Sequence, residues 1–151
     1  MRSRATTALA VLAVVMAACD GEPEPGVDGD SVAVLDREAG AQDDFPLEEL
    51  EDQGITTIDE DGAETARLAR STDAYDYYVL EQPGSGICLA TTSREAEPML
   101  VCGGRLGSDV DGVLVKGQGP HGTAGIAVDD VENVDSMAVE NNVFLDESAR
   151  P

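Results

Sequence analysis

The chain has no tryptophan, one histidine, one lysine and only five aromatic residues (two Phe, three Tyr) in 151 positions. A single histidine rules out a Cys₂His₂ zinc site and leaves His121 as the only imidazole for a Ser-His-Asp set. His121 lies between Pro120 and Gly122, in a glycine-rich stretch that reads as a turn, and Ser85, between Gly84 and Gly86, lacks a Gly-x-Ser-x-Gly elbow. Neither residue is expected to be catalytic. Basic residues number nine against 31 acidic ones, a net charge of −22 with no basic stripe, so nucleic acid is repelled and excluded as a partner. The longest apolar run, Ala8 to Ala18, is too short to cross a bilayer core, which takes about 20 helical residues.

That short run follows Arg2 and Arg4 and ends in small residues, which is the layout of a cleaved export signal. Met16-Ala17-Ala18-Cys19 resembles the lipobox of bacterial lipoproteins, with Met16 where that family usually carries Leu. The resemblance implies that the Cys19 sulfur receives diacylglycerol, that Cys19 becomes the mature N-terminus, and that fatty acid such as palmitate anchors the chain to the extracytoplasmic face of the cell membrane. Residues 1–18 would then be signal peptide. From Cys19 onward 31 acidic and seven basic residues remain, a net charge of −24.

With Cys19 acylated, Cys88 and Cys102 are left as a pair in an oxidising compartment, where a disulfide is the expected state and two buried free thiols the alternative. Closing a loop of this length stabilises a fold by roughly 3 kcal/mol in the chain-entropy picture. The wide gap between the two cysteines excludes a Cys-x-x-Cys redox or zinc motif.

Residues 19–44 combine Pro, Gly, Glu and Asp with one apolar patch, Ser31 to Leu35, and are expected to form a disordered acidic stalk or linker. The domain is expected over 45–146, with a tail at 147–151. Phe45 to Gly54 carries Pro near its start, early acidic residues and a closing Gly, which predicts a helix of about two turns. Asp61-Gly62-Ala63-Glu64 has the spacing of a capping box, so a second helix is expected from Asp61 with Ala66, Leu68 and Ala69 on its inner face.

Beyond Asp73 the pattern turns to strands. Tyr75 to Leu80 and Ile87 to Thr92 flank Gln82-Pro83-Gly84-Ser85-Gly86, a hairpin signal. If Cys88 lies opposite Cys102, residue numbers across that ladder sum to 190, placing Leu89 against Val101 and Ala90 against Leu100. Further strands are expected at Val113 to Lys116, Thr123 to Val128 and Met137 to Leu145. The fold class is therefore mainly β, a small antiparallel sandwich or barrel-like domain with one or two short N-terminal helices. Thr65 to Ala69, Ile87-Cys88-Leu89, Cys102-Gly103 and Val139 to Phe144 together resemble a pattern in small secreted actinobacterial domains to which no activity is attached. The turn from Gly117 to Gly122 is longer and richer in glycine than in that group.

Asp109-Val110-Asp111-Gly112 and Asp59-Glu60-Asp61-Gly62 begin like calcium loops, but neither continues with the remaining ligands of an EF-hand, so no metal and no cofactor is expected. Tyr75, Tyr77 and Tyr78 are the only close aromatic group; they are expected as half-buried strand residues, with an exposed sugar platform as the sharper reading. The function expected is that of a lipid-anchored, non-enzymatic binding module of the cell envelope, its partner an envelope protein or wall polymer. The alternatives are a carboxylate-based wall carbohydrate hydrolase and a secreted inhibitor or chaperone.

Overall fold

A computed structural model of the chain describes residues 32–93, 96–103, 111–119 and 122–146. Four strands, β1 (Arg67–Ser71), β2 (Asp76–Gln82), β3 (Gly86–Thr92) and β4 (Met99–Gly103), form one antiparallel sheet in the order β1-β2-β3-β4. Gly84 and Gly86, at φ 82° and 84°, supply the left-handed backbone of the β2–β3 turn, where side chains with a Cβ are disfavoured. Across β3 and β4, Cys88 faces Cys102, Leu89 faces Val101 and Ala90 faces Leu100. This is the register expected from the cysteines. The Cys88–Cys102 disulfide joins the two strands with their Cα atoms 4.1 Å apart.

The second sheet contains β5 (Val113–Gly119), β6 (Gly122–Ala127), β7 (Asn133–Val134), β8 (Met137–Glu140) and β9 (Val143–Leu145), in the order β5-β6-β9-β8-β7. It curls into a half-barrel, closely enough for Lys116 on β5 to pair with Asp135 beyond β7 at the opposite edge. The single strand expected from Met137 to Leu145 is instead a hairpin. Asn141 and Asn142 both take positive φ (48° and 66°), the conformation of the primed two-residue turns that match strand twist, and Asp135-Ser136 (48° and 70°) repeats the device between β7 and β8. Asn and Asp adopt this backbone more readily than other residues with a Cβ.

Apolar side chains sort into layers. Tyr77 and Val79 of β2 and Ile87 and Leu89 of β3 meet Val115, Ala124, Ile126, Val143 and Leu145 of the second sheet. Tyr78, Leu80, Cys88 and Ala90 point the other way and are covered by Leu50, Ile58 and Ala66. The first sheet is thus buried on both faces, so β2 and β3 carry unbroken apolar runs rather than alternation. A smaller cluster of Ala127, Val134 and Phe144 lies on the far side of the half-barrel.

The covering layer holds α2 (Leu47–Asp52), which starts after Pro46 and is stopped by Gly54 at φ 94°, as the sequence predicts. The next helix, α3 (Glu60–Thr65), begins earlier than the expected Asp61 start: Asp59 is its cap, with the Oδ1 atom accepting the Gly62 N–H at 2.8 Å. It also ends earlier. Ala66 turns extended, and Leu68 and Ala69 belong to β1, because pairing with β2 satisfies more backbone groups than one further helical turn would.

Residues 32–43, expected within the stalk, pack on the domain as a strap. Val32 and Val34 are 3% and 7% exposed, within the core between the sheets, the first just before the short helix α1 (Ala33–Asp36) and the second inside it. The Ala33 N–H donates to Asp129 Oδ1 at 2.9 Å and the Val34 N–H to Asn142 Oδ1 at 3.1 Å. Partners about 100 residues away provide the burial that local composition lacked.

Candidate functional site

The strap is fixed to the first sheet by an ion pair. Arg37 Nη2 and Nη1 donate to Asp43 Oδ1 and Oδ2 at 2.7 and 3.0 Å, a two-point contact on a carboxylate that is almost fully buried. The same carboxylate accepts the N–H groups of Gly40 and Leu68, each at 2.8 Å. Burial alone would raise the Asp43 pKa, but the Arg37 hydrogen bonds, the two N–H donors and the guanidinium charge outweigh it and hold the carboxyl below its ordinary value of 3.8.

Where this strap leads into α2, a cleft of about 550 Å³ opens between Asp44, Pro46 and Glu49 on one side and the β1–β2 turn, Thr72 to Asp76, on the other. The turn is held by its own side chains: Thr72 Oγ1 accepts the Tyr75 N–H at 3.0 Å, and Ser71 Oγ donates to Asp76 Oδ1 at 2.6 Å. Tyr78 forms part of the wall. Its ring meets Phe45 edge-on at 5.2 Å, and its hydroxyl donates to the Asp44 carbonyl at 3.4 Å. Burial, then the negative charges of Asp76, Asp44 and Asp43, raise this phenol above its ordinary pKa of 10.0. Carboxylates, carbonyls and hydroxyls line the cleft, an arrangement that accepts hydrogen-bond donors and positive charge.

The tyrosines do not form a platform. Tyr77 and Tyr78 alternate to opposite faces of β2 and are buried at 3% and 6% exposure, while Tyr75 tilts against Tyr77 at 6.3 Å. A strand covered on both faces leaves no room for stacked sugar rings. Ser85 sits in the exposed β2–β3 turn, with its N–H on the Gln82 carbonyl. Asp59 is occupied as a helix cap, and Asp111 stands at a positive-φ turn position. Among the described residues, no group of three His, Cys, Asp or Glu side chains is placed to hold a metal ion. Cys19, Asp109 and His121 lie outside the described residues.

The sequence reading passed over the turn Asn141-Asn142, which joins three parts of the molecule. Asn141 Nδ2 donates to the Ala69 carbonyl on β1 at 2.9 Å. Asn142, itself buried, donates from Nδ2 to the Ala127 carbonyl (3.1 Å) and to Asp129 Oδ1 (2.8 Å), while its Oδ1 holds the strap at Val34. An Asn-Asn pair between two strand-forming segments is a hairpin signal legible in the local sequence; the strap it secures is not.

No protein family, curated protein or solved structure matches the chain.

Proposed function

We propose that the chain is an exported lipoprotein, acylated at Cys19 and held on the extracytoplasmic face of the cell membrane, whose domain is a non-enzymatic binding module for an envelope protein or wall polymer. The observation that carries this reading is the division of the cysteines. Cys88 and Cys102 are joined to each other, as suits an oxidising compartment, while Cys19 stands apart at the end of an export-type apolar run. A diacylated and further acylated cysteine gives stable anchoring, since each buried CH₂ contributes about 0.8 kcal/mol.

The strap shortens the tether to residues 20–31, so the domain stands no farther than about 45 Å from the anchor, at roughly 3.3–3.6 Å per extended residue. Between Asp44 and Ala66 the chain carries acidic residues and no lysine or arginine, and this stretch covers the outer face of the first sheet. A partner docking there would bring positive charge, and added salt would weaken its binding. Labelled fatty acid should enter the wild-type chain, and Cys19→Ser should abolish the label and release the protein from membranes. Label persisting in that variant, or a mature N-terminus other than Cys19, would refute the reading.

A further inference from the structure

We infer that Cys102 is a site of reversible thiolation by low-molecular-weight thiols, with Cys88 as the buried thiol that reverses it. Thiol–disulfide exchange depends on which sulfur the attacking thiolate can reach and on how well the other sulfur leaves. The Cys88–Cys102 bond divides these roles unequally. Cys102 is exposed on β4, an edge strand of the first sheet, whereas Cys88 on β3 is 0% exposed and lies in the outer cluster with Leu50, Ile58 and Leu80. Leu50 belongs to α2, so the helical layer closes over one sulfur and leaves its partner open to solvent.

A thiolate RS⁻ arriving from solvent attacks Cys102 Sγ. The S–S bond breaks, RS–S–Cys102 forms, and the bonding pair leaves with Cys88, which takes up a proton to become a thiol. One disulfide replaces another, so the step consumes no outside oxidant or reductant. Apolar burial disfavours the Cys88 thiolate, which makes it a slow leaving group. The backbone ladder from Ile87 opposite Gly103 to Thr91 opposite Met99 keeps β3 and β4 together without the covalent bond. Cys88 therefore stays facing Cys102 and, on losing its proton, attacks that sulfur again and expels RS⁻, so the adduct is held only while thiol is in excess. The inference concerns the domain alone and does not rest on acylation at Cys19.

The full chain is incubated with mercaptoethanol and its disulfide, then acid-quenched and peptide-mapped by mass spectrometry. This thiol is uncharged, which suits a chain whose net charge of −22 repels anionic reagents. Under conditions that leave the β-sheet circular dichroism unchanged, the hydroxyethyl adduct should sit on Cys102 and a free thiol on Cys88. Removing the reagent should restore the disulfide. In Cys88→Ala, loaded from the same mixture, the adduct should outlast reagent removal because Cys88 is no longer there to expel it. Adduct on Cys88, or none until urea unfolds the domain, overturns the inference. So does release of the adduct from Cys88→Ala as fast as from wild type. If that variant does not fold, the wild-type map decides alone.

Discussion

Replacing Asn142 tests whether one turn side chain fastens the strap. Asn142→Gly keeps the backbone at φ 66° without strain and deletes the side chain's three contacts, those with Val34 N, Ala127 O and Asp129 Oδ1. Two of the lost partners are backbone groups near the core, where a neutral hydrogen bond contributes about 0.5–1.5 kcal/mol, and the third is a carboxylate, where the figure is about 1.5–3 kcal/mol. The expected loss is about 3–5 kcal/mol. Asn142→Ala should lose about 1 kcal/mol more, because a Cβ disfavours left-handed backbone. Asn141→Gly, which gives up only the bond to Ala69, should lose about 1 kcal/mol. Urea unfolding followed by circular dichroism measures all three. If Asn142→Gly lies within about 1 kcal/mol of wild type, the strap is held elsewhere and the reasoning fails.

Gly125 lies beneath the Phe144 ring, and a Cβ there would overlap both that ring and the Val115 carbonyl, so Gly125→Ala should destabilise by about 3 kcal/mol or more, or abolish folding; a melting temperature near wild type would refute the packing described. Reducing the Cys88–Cys102 disulfide, or replacing both residues by Ser, should lower stability by roughly 3 kcal/mol, read as a lower urea midpoint. Asp43 should leave a signature in acid. Its native pKa is depressed, so its contribution is complete above 3.8 and is lost as pH falls through the lower native value. The stability gap between wild type and Asp43→Asn should therefore narrow below about pH 4. A gap that stays constant from neutral pH into that range would show that the carboxylate charge contributes nothing.

What the sequence revealed follows the range of the forces involved. The β2–β3 hairpin, the helix from Leu47 and the Cys88–Cys102 register were legible because turn glycines, a proline at a helix start and a covalent pair act locally or leave a countable mark. The sequence favours a helix through Ala69 because Asp61 has a Glu three positions on and Asp59 has a Gly, and because the competing pairing with β2 is invisible from one segment. The strap was hidden for the same reason. Val32 and Val34 look like an isolated patch in a polar run until Asp129 and Asn142 supply partners for the backbone beside them. Of the candidate site, only the cysteine pair could be placed in advance; the cleft beside Tyr78 depends on how the turn at Thr72 to Tyr75 approaches α2.

The chain's few cations explain how so acidic a molecule can be organised. Arg37, Arg67, Arg70 and Lys116 are the basic residues among those described, and all four are engaged: Arg37 with Asp43, Arg67 with the carbonyls of Arg37, Glu64 and Ala66, Arg70 with Glu140, and Lys116 with Asp135. Arg37 also donates to the Leu68 carbonyl on β1. Arg37 and Arg67 bind the strap and α3 to β1, Arg70 links the first sheet to β8 of the second, and Lys116 spans the half-barrel. Exposed pairs such as the last two add little energy singly, but the Arg37–Asp43 contact is buried on its acidic side and tied into the backbone at both ends. Among the described residues, positive charge is thereby placed at these internal contacts, and the helical layer from Asp44 to Ala66 carries carboxylates without a lysine or arginine of its own. This division allows a field of one sign to face outward while the places where the chain must close on itself are held by the opposite sign.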